Sequence, residues 1–184
     1  MLATLDRHTA LETLADEHFA VRAFLSALSD EEQARPNTIR LGLYPEQQMS
    51  VKDLMAHLIT WELIALDNLA AWQRGEKPPM TDPARNTYEA GRQINFEGIA
   101  RRHALSPSEM RDELYATQDR LRTTIESLAE AAWNEPAPYP TEDEIDLGGL
   151  LEEILTAPGK PRFAHFSVHV PDAAQFLAAL REAS

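Results

Sequence analysis

The sequence predicts an all-α fold. Three kinds of signal carry that reading: helix-start motifs, apolar residues recurring every three or four positions, and glycine or proline where each periodic run stops. The first helix spans about Thr9 to Leu28. Thr9, with Glu12 three residues on, has the spacing of a capping box, in which each side chain satisfies a backbone N–H of the other's turn. Leu11, Leu14, Phe19, Val21, Phe24, Leu25 and Leu28 follow near helical spacing. A short turn begins at Ser29, with Glu32 in the reciprocal position. Ser50 and Asp53 open the second long helix, VKDLMAHLITWELIALDNLAAWQR. Gly75 closes it, and Pro78-Pro79 keep it from resuming. Another helix lies between Asn86 and Arg102, weakened by Gly91 and Gly98. Ser106-Pro107-Ser108-Glu109 is the clearest start, because proline occupies the first helical position. That helix carries Met110, Leu114, Leu121, Ile125 and Leu128, and ends by Trp133.

Residues 134–160 differ in composition. Four prolines, the acidic run Glu142-Asp143-Glu144 and Gly148-Gly149 mark a long connection inside a single domain spanning 1–184. Its LLEEIL stretch suits one or two helical turns, and the whole connection suits covering one end of a helical bundle. Beyond it, Ala173 to Arg181 is helical. Phe166-Ser167-Val168-His169-Val170 alternates apolar and polar, which fits a strand over 163–170 as well as a helix kinked by Pro171. An isolated strand would leave its backbone groups without partners, which favours the helix.

Lys and Arg number 17 against 30 Asp and Glu, a net charge of −13. That balance argues against a nucleic-acid binder, which needs a basic face to displace counterions, and against docking on an anionic membrane. The absence of cysteine excludes disulfides, thiolate metal sites and a cysteine nucleophile. Asp6 and Arg7 precede any apolar run, so the start of the chain lacks the core of a signal peptide. The apolar window Leu54–Leu66 is too short to span a bilayer. A soluble cytoplasmic protein is the expectation.

The histidines carry the chemistry. His57 lies on the stripe Ser50, Leu54, His57, Trp61, Ile64 and Asn68, whose spacing places it on one inward face. His165 and His169 are four apart. On a helix their rings stack within reach of one ion; on a strand they stand roughly 13 Å apart. If the last helix packs beside the second, three imidazoles converge, leaving an open position able to polarise water or a carbonyl. Asp172 shares that face as an outer acceptor or fourth ligand. The alternative is that His57 is a core histidine bonded to a carbonyl. His8, His18 and His103 are expected at the surface. Glu62 projects about 140° from His57 and is a poor ligand. There is no G-x-S-x-G elbow and no phosphate loop; Gly148-Gly149 is too sparse a signal.

The stretch MSVKDLMAHLITWELIALDNLAAWQRGEKP, followed by INFEGIARRHALSPSEMRDELYATQDRLRTTIESL and HFSVHVPDAAQFLAAL, resembles the DinB/YfiT-like superfamily of metal-dependent proteins. It is closest to the ClbS/DfsB branch, where an H-L-x-x-W-E stretch precedes a distant H-x-x-x-H pair. The resemblance implies an antiparallel four-helix bundle with short extra helices, and a divalent metal (zinc, nickel, iron or manganese) held by His57, His165 and His169. It also implies helical backbone around His165. Members include thiol-dependent transferases and isomerases, and the closer branch includes a hydrolase acting on a genotoxin. The expected function is therefore metal-assisted hydrolysis or thiol transfer on a small electrophile. A non-catalytic protein that sequesters a small molecule, and an acidic interaction module forming a homodimer, are the other readings. No catalytic residue beyond the ligands is assigned.

Overall fold

The computed structural model describes residues 4–36, 38–41, 44–141, 144–157, 159 and 161–182, with the side chains of 40, 41, 44–48 and 170–172 outside that description. Four long helices form the expected bundle: α1 (Arg7–Ser26), α3 (Val51–Gln73), α4 (Tyr88–Arg102) and α5 (Pro107–Glu126). Short helices α2 (Asp30–Ala34), α6 (Glu130–Trp133) and α7 (Leu147–Leu155) fill the connections, and α8 (Val170–Glu182) closes the chain.

The starts at Ser29, Ser50 and Ser106 hold both bonds of a capping box. The first helix begins earlier than expected. Asp6, not Thr9, is its cap: the carboxylate accepts the Thr9 N–H at 2.9 Å and the Thr9 hydroxyl at 2.7 Å. A carboxylate is the better acceptor at a helix's positive end, so it sets the boundary. Gly75 closes α3 in the left-handed region, at φ 70°.

The structure adds one element that periodicity does not reveal. Strands β1 (Ile39–Leu41) and β2 (Tyr44–Met49) pair antiparallel, with Ile39 opposite Met49. Both of those side chains are buried against the core, which explains why so short a hairpin persists.

Two apolar clusters make the interior, and α3 runs through both. One gathers Leu54, Met55 and Ile59 with Phe24, Met110, Leu114, Phe166 and Phe176. The other gathers Leu66, Leu69 and Trp72 with Leu14, Leu121, Trp133 and Leu151. By length and composition α3 could cross a bilayer, yet 72% of its apolar window is buried inside the bundle. The expected connection at 134–160 is not structureless: α7 within it packs on α3, with Leu150 and Leu151 buried. Glu142 and Asp143 lie outside the described residues.

Gly98 has a packing reason to stand inside α4. A Cβ there would stand 2.1 Å from Thr60 Oγ1, so the bare backbone lets α4 approach α3 closely. Thr60 Oγ1 is itself bonded to the Ala56 carbonyl at 2.7 Å, so it cannot swing away without losing that bond. Gly98→Ala is expected to destabilise the protein by about 1–3 kcal/mol in urea denaturation, despite alanine's better helix propensity. Adding Thr60→Ala should recover part of the loss.

Candidate metal centre

His57 sits in the second turn of α3, 5% exposed. The capping box at Ser50 fixes the start of that helix and so the direction of the His57 ring. Asn95 on α4, itself 3% exposed, receives two bonds on one oxygen. Trp61 Nε1–H donates to Asn95 Oδ1 at 2.8 Å, and His57 Nδ1 stands 2.7 Å from the same atom. An indole nitrogen only donates, so the atom it meets is the carbonyl oxygen. His57 Nδ1 must then carry its proton, and the Nε2 lone pair points the other way. It points at His165: the two Nε2 atoms are 2.8 Å apart.

His165 and His169 do not stand on the last α-helix. They flank a 3-10 turn, Phe166–Val168, and α8 begins only at Val170. Pro171 explains the break. Inside a continuous helix it would deprive the Ser167 carbonyl of its partner, whereas in the first turn of α8 its missing N–H costs nothing. The strand reading of 163–170 is likewise replaced by this turn. The rings nevertheless reach the same place. His57 lies 4.8 Å from His165 and 5.2 Å from His169 between ring centroids, edge-on to both. One nitrogen from each of the three falls within 4.8 Å of the others.

The approach to the turn is fixed by packing. Phe163 adopts φ 57°, a costly conformation for a non-glycine residue, while its ring is 1% exposed and stacked on Trp133. Its N–H donates to Thr156 Oγ1 at 2.9 Å. On the opposite side, Glu17 Oε2 accepts the N–H groups of His165 at 3.1 Å and Phe166 at 2.8 Å. One carboxylate on α1 therefore anchors the start of the turn. Glu17→Ala is expected to weaken zinc binding about ten-fold in a chelator competition, as loss of an outer-shell partner does. Glu17→Gln, which keeps an acceptor, should lose less.

Burial sets the protonation of the site. It lowers the His57 pKa to about 4, only partly opposed by the Asn95 hydrogen bond. Burial first, then the neighbouring His57 and His169 rings, hold His165 well below its ordinary value. Both are neutral near pH 7, the form that ligates metal. In chelator-stripped protein, the unfolded chain takes up protons near pH 6.5 that the folded His57 refuses until about pH 4. Stability is therefore full above pH 6.5 and falls as the pH drops through this window. The loss from His57 is on the order of 3 kcal/mol, measurable as urea midpoints against pH.

The three rings form the floor of a cavity of about 380 Å³, walled by Trp61, Met80, Leu150, Ile154 and Val168. Three converging imidazoles, of which burial keeps His57 and His165 neutral, are a borderline-soft nitrogen donor set, suited to zinc, nickel or iron. The residues fit a divalent ion.

The DinB superfamily's sequence profile matches residues 42–156. The chain belongs to the DinB superfamily. The match takes in His57 and Asn95 and stops short of His165. No curated protein sequence matches the chain. Among solved structures, the colibactin self-resistance protein ClbS, crystallised with double-stranded DNA, superposes with a TM-score of 0.71 at 9% identity, covering 98% of each chain. The sibling lethal factor precursor DfsB gives 0.60 at 12% identity, covering 98% of this chain and 95% of the other. A mycothiol-dependent maleylpyruvate isomerase gives 0.58 at 18% identity, with 95% and 69% covered. At such identities the likeness establishes the DinB-like fold alone.

Periodicity does not single out several of the residues that matter here. Asn95 shares a face of α4 with Gly91, Gly98 and Arg102, at steps of four, three and four. That small and polar stripe is the signal the sequence offers for it. His18 is buried rather than at the surface, 3.4 Å from an oxygen of buried Glu62. It continues the stripe Leu11, Leu14, His18, Val21 and Leu25, whereas Phe19 is 74% exposed. Burial pushes the Glu62 carboxyl up, a cost partly offset by His18. Glu62 pairs with His18 and is not one of the three residues whose nitrogens converge. His8 and His103 are exposed. The Asp172 side chain lies outside the described residues; Asn95 is the outer partner the structure supplies, to His57.

Proposed function

We propose that this DinB-superfamily protein is a cytoplasmic, divalent-metal-dependent enzyme in which His57, His165 and His169 hold the ion. Its reaction is hydrolysis of, or thiol transfer to, a small electrophile. The observation that carries the reading is the convergence of three imidazole nitrogens, from buried His57 and His169 and half-buried His165, in the lining of one cavity. A bound divalent ion supplies Lewis-acid activation of a water, thiol or carbonyl oxygen.

The chain's own residues do the rest. Asn95 holds His57 in the tautomer whose Nε2 lone pair faces inward. Glu17 keeps the His165 turn seated against the bundle. The apolar wall lowers the local dielectric and strengthens electrostatic interactions inside. All three ligands are uncharged, so the ion's positive charge is not cancelled by the protein. No nucleic acid enters this reading. ClbS was crystallised with DNA, but a net charge of −13 on this chain opposes phosphate contact.

Metal analysis of freshly purified protein, followed by assays of the zinc-loaded form, tests the proposal. Turnover of an activated ester in water supports hydrolysis; turnover that needs an added thiol supports transfer. The second reading is a non-catalytic protein that sequesters an apolar molecule. It is favoured by the cavity wall, where among the described residues the one carboxylate is Glu153, already bonded to Asn86. On that reading, thermal stability is indifferent to zinc and chelator, and neither assay shows turnover.

A further inference from the structure

The cavity above the histidines has a polar opening. Arg85 lines it, together with Asn86 and Glu153. Most arginines with described side chains are in ion pairs, including Arg7, Arg22, Arg102, Arg111 and Arg162. Arg85 is in none of the ion pairs among the described residues. The Glu153 carboxylate accepts a bond from the Asn86 amide instead. So an exposed arginine with no ion-pair partner among the described residues lines the solvent side of a mainly apolar cavity, on a protein carrying −13 overall.

We infer that the substrate is a small organic anion. Its apolar body fills the cavity, its carboxylate meets Arg85 at the mouth, and its reacting centre faces the three imidazoles. The size suits this occupant, since small-molecule sites begin near 300 Å³ and are lined mainly by apolar groups. The guanidinium fork matches a carboxylate with two parallel bonds, which a neutral amide cannot reproduce. In an acidic protein, a cation at a cavity mouth is also where an incoming anion is drawn. The inference deepens the proposed function by naming its substrate class, and it rests on the same cavity.

Phenylbutyrate and its neutral amide serve as probes, titrated calorimetrically into zinc-loaded and chelator-stripped protein. The carboxylate should bind the stripped wild type about ten-fold or more tightly than the amide, the range of a charged hydrogen bond. Arg85→Gln should bring the ratio near one while leaving the amide's affinity unchanged, and Arg85→Lys should retain part of the preference. Arg85 is exposed, so these variants keep the fold. Three outcomes overturn the inference: a preference that survives Arg85→Gln, a preference that exists only with zinc, or no binding of either probe. The stripped-protein arm does not depend on metal. A chain that never binds an ion therefore sinks the proposed function, while the probe titrations still confirm or refute the anion.

Discussion

Wild-type protein incubated with zinc is expected to retain about one equivalent per chain after desalting, and His57→Ala or His169→Ala close to none. On the proposed function each ring supplies one of three protein ligands, and His57 comes from a part of the chain over a hundred residues from His165. Removing either leaves a pair with little advantage over free histidine in solution. Stability should report the same loss. An ion at a thousand times its dissociation constant stabilises the folded state by about 4 kcal/mol, on the order of 8–16 °C for a chain of this size. The wild type should show that shift between zinc and chelator, and both variants should show none. His8→Ala is the control, because His8 lies exposed beside Glu12 and should behave as wild type. Wild-type protein that stays free of metal after exposure to zinc, nickel and manganese ends the metalloenzyme reading.

Asn95→Leu is the second large effect. The substitution keeps the volume and removes the oxygen that two buried donors share. His57 Nδ1–H and Trp61 Nε1–H are then both stranded, at about 1–3 kcal/mol each. The expected destabilisation is about 2–6 kcal/mol in urea, with zinc affinity falling about 10–100-fold as the His57 tautomer is freed. Adding Trp61→Phe removes one stranded donor. The double variant should therefore lose less than the sum of the singles, by an amount within the usual coupling range of about 0.5–3 kcal/mol. Asn95→Leu with a loss under about 1 kcal/mol and unchanged zinc affinity would show that His57 is oriented by something else.

The bundle is legible in the sequence because its rules are local. Ser50, Ser106 and Ser29 cap the turns that follow them, and Gly75 ends α3, whatever the rest of the chain does. Sequence and structure part where a neighbour in space overrules a neighbour in sequence. His18 reads as a surface residue from its side-chain type alone, although it continues the stripe of Leu14, Val21 and Leu25 and pairs with Glu62 on another helix. Phe19 beside it reads as core for the same reason, yet faces solvent. The hairpin over 39–49 is invisible to periodicity because its stability comes from burying Ile39 and Met49 in the core, with β1 packed against both the neighbouring α3 and the distant α8.

For the site, the order of the three histidines is readable, and so is the inward face of His57. The backbone beneath His165 and His169 is not. Spacing by four is satisfied by an α-turn, and equally by the 3-10 turn that Pro171 imposes between the connection and α8. What brings the rings together is a carboxylate from α1, an aromatic stack on Trp133 and an amide from α4, none of them adjacent to a histidine in sequence. The sequence by itself determined which residues could ligate and which helices would carry the bundle, because capping and periodicity act within a few residues. Only the tertiary structure decided that the three nitrogens meet, because their directions are set by long-range hydrogen bonds and packing that no local pattern encodes.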